Sequence, residues 1–180
     1  PRQAANLKRL CHRSQQIGVT AALIAEFENL PREICQAVPS IGMLSHIGTL
    51  ILYTNKPDEM DAVTKRVEVE GISIDQAEAE QFGAGHAEIG AYLLGLWGFA
   101  APIIQAVAYH HRPMDLPHKD MNALTAIYVA QHLTREIADR DSGIEPQSRI
   151  DMEYLTLIGK ESHLEDWRNI AKIVSENYRE

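Results

Sequence analysis

Apolar residues recur at intervals of three and four along most of the 180-residue chain, which is the spacing typical of amphipathic helices. The first such segment spans residues 6–30, and an almost wholly apolar stretch follows at 41–53. Pro39 and Ser40 predict a break between a short helix at 32–38 and that stretch, because proline has no amide hydrogen to donate. The stretch is long and holds few β-branched residues, so the pattern predicts a buried helix there rather than a strand.

Helix start and stop signals divide the rest of the chain. Pro57 and Gly71 bound one predicted helix. Two pairs, Ser73 with Gln76 and Ser162 with Glu165, have the spacing of capping boxes. Further helices are predicted at 86–97, 102–111, 122–138, 151–158 and 163–178, with a polar surface loop at 139–148. The expected fold is all-α, a single compact domain over residues 1–180 with about eight to nine helices.

The predicted helix at 86–97 presents an apolar face at helical spacing. Its members are Ile89, Leu93, Leu96 and Trp97. A face of this kind is typical of a helix that packs against a core. We therefore interpret Trp97 as a core residue rather than as a contact for a cofactor.

Charge and composition narrow the classes of partner. The chain has 25 acidic and 17 basic residues, a net charge of −8, which argues against a broad basic surface for nucleic acid or a membrane. No uninterrupted apolar run approaches the roughly 20 residues that span a bilayer, and no signal peptide is visible. Cys11 and Cys35 have no metal-type spacing and are interpreted as buried free thiols in a reducing compartment, which favours a cytoplasmic protein. The chain lacks an initiator Met, so we expect an N-terminally incomplete piece of a larger protein.

The candidate chemistry lies in histidines. His86 begins one predicted helix, and His110 and His111 end the next. If the two helices are antiparallel neighbours, their imidazoles converge, and neutral imidazole is a common ligand of divalent metals. A site of this class also needs carboxylates, but no spacing points Glu88 or Asp115 inward. For any single histidine in a core, a hydrogen-bonded packing role remains the alternative.

These segments resemble a known family. Residues 86–91, His-Ala-Glu-Ile-Gly-Ala, are similar to the "H-x-E-[IV]-G-A" segment of the HD-type metal phosphohydrolase superfamily. Residues 93–113, with Trp97-Gly98 and His110-His111, narrow the resemblance to the HDOD branch. The tail from Ile150 resembles HDOD domains that are joined to receiver domains in response regulators. The resemblance implies the helical fold of the HD superfamily and an upstream domain.

The chain departs from the family at the dyad that gives the superfamily its name. Ser45 stands at the position of the metal-binding His, and His46 stands at that of the Asp. In active relatives the Asp can bridge two metals and help activate water, whereas serine is a poor ligand and histidine cannot act as a bridging anion. His12 resembles the family's first histidine. The resemblance thus implies a set of vestigial metal ligands: His86, His110, His111, His12 and His46.

The resemblance implies a non-catalytic output or interaction module of signal transduction. It would pass the state of an upstream receiver domain to other signalling proteins, with no cofactor and no catalytic residue. Two alternatives stay open. One is a phosphohydrolase of nucleotides or cyclic dinucleotides with one weakly bound divalent metal, and the other is a sensor that binds a nucleotide without cleaving it. Assembly into a homo-oligomer is also left open.

Overall fold

The computed structural model describes residues 2–143 and 150–178. Within these ranges the chain is helical and contains no strand, so the all-α prediction is confirmed. Two short 3-10 helices cover Pro113–Asp115 and Glu161–His163. The α-helices are α1 (Arg2–Phe27), α2 (Arg32–Leu44), α3 (Ile47–Asn55), α4 (Pro57–Glu70), α5 (Ile74–Phe82), α6 (His86–Leu96), α7 (Ala101–Tyr109), α8 (Ala123–Asp141), α9 (Met152–Leu157) and α10 (Leu164–Asn177).

Helices α1 and α2 pack with their backbones almost in contact. A Cβ atom added at Gly18 would lie 2.6 Å from the carbonyl oxygen of Pro39, and one added at Gly42 would lie 2.7 Å from the Cα of Gly18. No side chain fits at either position, so glycine is required there despite its cost to an isolated helix. This close crossing anchors α2, and with it the segment that precedes α3.

The predicted break at Pro39 and Ser40 is wrong, because α2 continues through them to Leu44. Proline removes one helical hydrogen bond, and the close packing of α2 on α1 outweighs that loss. The break falls instead at Ser45 and His46, where the hydroxyl of Ser45 donates to the carbonyl oxygen of Gly42 at 2.7 Å. The predicted single helix at 41–53 is therefore two helices, and the dyad position lies in the bend between them.

Helix α6 buries a different face from the predicted one. Trp97, predicted as core, is 56% exposed and lies at the end of the helix. The buried face carries His86 and a run of small residues, and it packs so closely on α3 that a Cβ atom at Gly48 would meet the backbone of His86. Small residues allow two helices to approach; Leu94 is buried with them, whereas Tyr92, Leu96 and Trp97 are exposed.

Two smaller predictions for the C-terminal third of the chain are wrong. Helix α8 runs to Asp141, so the predicted polar loop begins later than 139, and residues 144–148 of that loop lie outside the described residues. The capping box of Ser162 and Glu165 does not form, because Ser162 lies in a 3-10 helix and His163 precedes α10 without a side-chain cap. The hydroxyl of Ser73, by contrast, accepts the predicted hydrogen bond at the start of α5.

One apolar segment meets the length and composition of a membrane span, which the sequence did not lead us to expect. It covers Arg32–Asn55, the whole of α2 and α3. The bend at Ser45 and His46 interrupts it, and Val38 and Ile41 lie buried in the core cluster shared with α1. The core helices of a soluble protein satisfy the same criterion, so the segment is weak evidence for a membrane.

Candidate functional site

Four histidines from three parts of the chain meet in the interior; we call them the histidine cluster. His46 lies in the bend before α3, His86 begins α6, and His110 and His111 follow α7. The ring centroid of His86 lies 5.6 Å from that of His46, 5.4 Å from that of His110 and 4.9 Å from that of His111. The bend and the α6–α7 hairpin thus bring four of the five predicted ligand candidates together.

The fifth candidate, His12, lies elsewhere. Its ring is exposed on α1 and contacts the ring of Tyr178, with centroids 5.3 Å apart. The neighbouring Arg13 turns inward instead, because a shift of one residue rotates a helix position by about 100°. The resemblance of His12 to the family's first histidine therefore does not extend to its position in space.

A chain of hydrogen bonds runs through the cluster from α5 to α8. The Glu78 carboxylate oxygen Oε2 lies 2.6 Å from His86 Nδ1 and accepts the His86 backbone N–H at 2.8 Å. His86 Nε2 lies 3.0 Å from His111 Nε2, and His111 Nδ1 lies 2.8 Å from Gln131 Nε2. An ionised Glu78 only accepts hydrogen bonds, so His86 Nδ1 carries its proton. His111 Nε2 then donates to His86, and the Gln131 amide donates to His111.

The other two histidines each use Nδ1 in a hydrogen bond and leave Nε2 unprotonated. His110 Nδ1 donates to the carbonyl oxygen of Val107 at 2.7 Å, which leaves its buried Nε2 with a lone pair and no partner among residues 2–143 and 150–178. His46 Nδ1 lies 3.0 Å from Ser45 Oγ. The Ser45 hydroxyl already donates to Gly42, so it accepts from His46, and the proton of His46 is on Nδ1.

These tautomers leave the Nε2 lone pairs of His46 and His110 free, whereas that of His86 accepts the hydrogen bond from His111. One ring nitrogen from each of His46, His86 and His110 lies within 4.8 Å of the other two. Three neutral imidazoles can hold a divalent metal such as zinc, which takes its fourth ligand from water or substrate. A second possible group, formed by Asp75, Glu78 and His86, shares one histidine with the first.

Burial favours the neutral form of His46, His110 and His111. It lowers the pKa of His110 to about 3, with the neighbouring imidazole of His86 adding to the effect. Burial and the neighbouring imidazoles also hold the pKa values of His46 and His111 well below their ordinary range. Uncharged imidazole is the form that accepts hydrogen bonds and binds metals.

Of the remaining carboxylates near the cluster, those of Glu88 and Asp115 lie on its exposed rim, and that of Asp75 is largely buried. The carboxylate of Glu88 accepts hydrogen bonds from the Gly85 backbone N–H and from the Arg112 guanidinium. The same guanidinium lies 4.0 Å from the Asp75 carboxylate and 3.9 Å from that of Asp115. Among the described residues, Glu78 is the one carboxylate hydrogen-bonded to a ring of the cluster.

The model of the HDOD domain matches residues 1–113, more than half of the chain. The chain belongs to the HDOD family. The match contains both the bend at Ser45 and His46 and the three later histidines of the cluster. The sequence resemblance to this family is thus confirmed.

Three solved structures share the fold of this HDOD domain, at identities of 18–21%. An HDOD domain protein from Geobacter sulfurreducens has a TM-score of 0.70 and 21% identity, over 92% of this chain and 62% of its own. A "Putative phosphohydrolase" from Shewanella amazonensis SB2B has a TM-score of 0.64 and 19% identity, over 92% and 58%. A "Putative signal transduction protein" from Marinobacter aquaeolei VT8 has a TM-score of 0.66 and 18% identity, over 93% and 38%.

This HDOD domain therefore spans less than two thirds of the length of each of these proteins. At such identities the likeness shows the fold alone. No curated protein matches the chain.

Sequence reasoning missed two residues of the hydrogen-bonded chain, Glu78 and Gln131. Each one is a polar side chain on the buried face of its helix, Glu78 beside Ala77 and Gln131 within the apolar run 126–133. A polar residue at a core position needs a partner, and that need is a signal for a buried polar network. The signal does not say which of several histidines is the partner.

Proposed function

We propose that this HDOD domain is a non-catalytic module of signal transduction whose metal site is degenerate. The observation that carries the proposal is the burial of the histidine cluster, in which His46 is 9%, His86 2% and His110 0% exposed. A catalytic metal needs an open coordination position for water and substrate. A charged phosphoester cannot reach imidazoles that are closed off in this way.

The donor set also supports the proposal. Two-metal hydrolysis uses anionic ligands that bridge the ions and offset their charge. Here the two positions of the dyad are occupied by Ser45, whose hydroxyl bonds to backbone, and by neutral His46. The buried carboxylate of Glu78 accepts two hydrogen bonds from His86 and lies outside the three converging nitrogens.

The cluster has a structural role that explains its retention without catalysis. The hydrogen bonds from Glu78 through His86 and His111 to Gln131 join α5, α6, the end of α7 and α8. A buried polar network with good partners favours one arrangement of the helices over others. The helices of the ancestral site would then persist as the core of an interaction domain.

An exposed apolar surface supports a role in binding other proteins. The last turns of α6 and the segment after it expose Tyr92, Leu96, Trp97 and Phe99. Neighbouring large apolar residues in solvent are typical of protein interaction sites. We propose a signalling protein or an upstream receiver domain of a cytoplasmic pathway as the partner, with self-association through this surface as the alternative.

One observation favours the second candidate, a phosphohydrolase with one weakly bound metal. The lone pair of His110 Nε2 is buried without a partner, close to ring nitrogens of His46 and His86. A metal would satisfy that nitrogen. An opening motion that admits solvent would then be needed for any turnover.

Two measurements on the purified protein separate the candidates. We expect elemental analysis to find well under one transition-metal ion per chain, and no hydrolysis of bis-p-nitrophenyl phosphate or of a cyclic dinucleotide. The matched variants are His110→Ala and His118→Ala, since His118 is exposed and outside the cluster. Two tightly bound ions, or a turnover that EDTA abolishes and that only His110→Ala removes, would establish the hydrolase instead.

A further inference from the structure

A cleft separate from the histidine cluster lies between the first half of α1 and the end of α8. Its volume is about 270 Å³. Most of the residues that line it are polar or charged, among them Arg9, Arg13, Gln16, Thr134, Arg135 and Asp139. That volume is slightly below the range for drug-sized ligands and suits a smaller group.

The charge of the cleft is opposite to that of the chain. Three arginines and one aspartate line it, whereas the whole chain carries −8. The Asp139 carboxylate accepts a hydrogen bond from Arg135 Nε at 2.8 Å, so it is already engaged. Arg9 Nη2 donates to the side chain of Asn6 at 2.6 Å and remains exposed. Among the described residues that line the cleft, no second carboxylate balances the positive charges of Arg9 and Arg13.

Arg13 is the central feature of the cleft. Burial, together with the nearby charge of Arg135, lowers the pKa of its guanidinium to about 10, against the opposing effect of Asp139. No residue in the described ranges accepts a hydrogen bond from this guanidinium. A partly buried guanidinium is costly unless an anion binds its N–H donors, and the nearby Asp139 carboxylate is already hydrogen-bonded to Arg135.

Thr134 supplies a second and independent indication. Its side chain is 3% exposed, and its hydroxyl oxygen has no hydrogen-bond partner in the described part of the chain. A buried hydroxyl without a partner is uncommon in folded proteins. The partly buried amide of Gln16 lines the same cleft.

We propose that this cleft binds a phosphate group, as the free ion or as a phosphomonoester. Guanidinium groups match the geometry of phosphate oxygens, and hydroxyl and amide donors complete the coordination of a tetrahedral oxyanion. None of the described residues that line the cleft is aromatic, so we limit the proposed recognition to the phosphate and do not extend it to a nucleobase. The site is independent of the proposed signalling function and of the histidine cluster.

Calorimetric titration of the purified protein with inorganic phosphate tests the proposal. We expect saturable binding that Arg13→Gln weakens about tenfold, the size of one charge-assisted hydrogen bond, with a smaller loss in Arg9→Gln. Arg32→Gln is the control, because Arg32 is exposed at the start of α2 and its loss changes the net charge equally. Should Arg13→Gln fail to fold by circular dichroism, the exposed Arg9 variant decides.

Two further ligands define the chemistry. Adenosine monophosphate should bind within a few-fold of inorganic phosphate, and acetate should bind more weakly than both. No saturable heat with phosphate, an equal loss in the Arg32 control, or full affinity in Arg9→Gln and Arg13→Gln would each overturn the proposal. A large gain from the adenosine moiety, or equal binding of acetate, would overturn the assignment to phosphate.

Discussion

Two buried carboxylates of this domain each contact a histidine in the same way. Glu78 Oε2 lies 2.6 Å from His86 Nδ1, and Glu28 Oε1 lies 2.6 Å from His163 Nδ1. The carboxylate in each pair is removed from solvent. The pairs differ in what surrounds them, and that difference separates a structural contact from a candidate site.

The pair at Glu28 is one part of a saturated ionic contact, which we call the C-terminal clamp. Glu28 also accepts hydrogen bonds from Lys160 Nζ at 2.6 Å and from Trp167 Nε1 at 3.0 Å. Burial would raise the pKa of Glu28, but hydrogen bonds from Lys160 and His163 outweigh it and hold the pKa below its usual range. All three donors come from the C-terminal segment, so the clamp fastens that segment to the end of α1.

The pair at Glu78 is incomplete by comparison. Both of its hydrogen bonds come from His86, and its second oxygen, Oε1, is buried without a partner among the described residues. The far nitrogen of His86 meets His111 rather than solvent. Unused acceptors collect around the histidine cluster, on Glu78, His110 and Gln131, whereas Glu28 has none. Such unsatisfied buried groups are the mark of a site that once held, or can hold, something more.

We expect the largest loss of stability when the C-terminal clamp loses Trp167. Trp167→Ala should lower the free energy of unfolding by about 3–5 kcal/mol, because Trp167 is fully buried between α10 and the core. Trp97→Ala is the control and should cost within about 0.5 kcal/mol, since Trp97 is on the surface. Urea denaturation measures both, and equal losses in the two variants would contradict the structure.

Neutralising the clamp carboxylate should have the next largest effect. Glu28→Gln leaves Lys160 without its counter-charge and replaces one acceptor oxygen by an NH₂ group that faces other hydrogen-bond donors. We therefore expect the free energy of unfolding to fall by about 3 kcal/mol at neutral pH. The exposed Glu26→Gln is the matched control. The pKa of Glu28 is lowered in the folded state, so its contribution is present above its ordinary value of 4.5 and is lost as pH falls below it. A difference between wild type and variant that persists at low pH would argue against the ionic contact.

The sequence was sufficient for the positions of most helices but not for which face each helix buries. Pro57, Gly71 and Ser73 act locally, through backbone geometry and a single cap, and the structure uses each as predicted. Pro39 and Trp97 were misjudged because contacts distant in sequence decide them. Pro39 stays helical against Gly18, and Trp97 is turned outward by the close packing of α6 on α3.

The same limit applies to the candidate site. The spacing of His86, His110 and His111 predicted their meeting, because one hairpin joins them. Glu78 and Gln131 were missed, since their place depends on how α5 and α8 pack around that hairpin. The sequence pattern predicts the α6–α7 hairpin, but it does not predict how α5 and α8 pack against that hairpin.

The histidine cluster should make stability depend on pH mainly between about pH 4 and 6.5, which is above the range in which Glu28 acts. Burial lowers the pKa of His110 to about 3 and also lowers those of His46 and His111, so the unfolded chain binds more protons below pH 6.5. Stability should therefore fall as pH drops from about 6.5, by up to about 1.4 kcal/mol per pH unit for each such histidine. His110→Gln should reduce the slope between pH 4 and 6.5, and the exposed His118→Gln should not. An unchanged slope in His110→Gln, measured by urea denaturation at each pH, would mean that His110 is charged in the folded state.

Neutralising the other carboxylate should have the smallest effect and completes the comparison. In Glu78→Gln the amide oxygen can accept the same two hydrogen bonds from His86, and the new NH₂ group takes the place of an oxygen that had no partner. We expect a loss of about 1 kcal/mol, the cost of one unsatisfied buried donor, against about 3 kcal/mol for Glu28→Gln. The exposed Glu68→Gln, with the same change of charge, is the control and should be near neutral. The small loss follows only if His86 is neutral, so that no buried ion pair is broken. A loss as large as that of Glu28→Gln would show that His86 is protonated and paired with Glu78, and a cationic imidazole at the centre of the cluster would repel a metal rather than bind it.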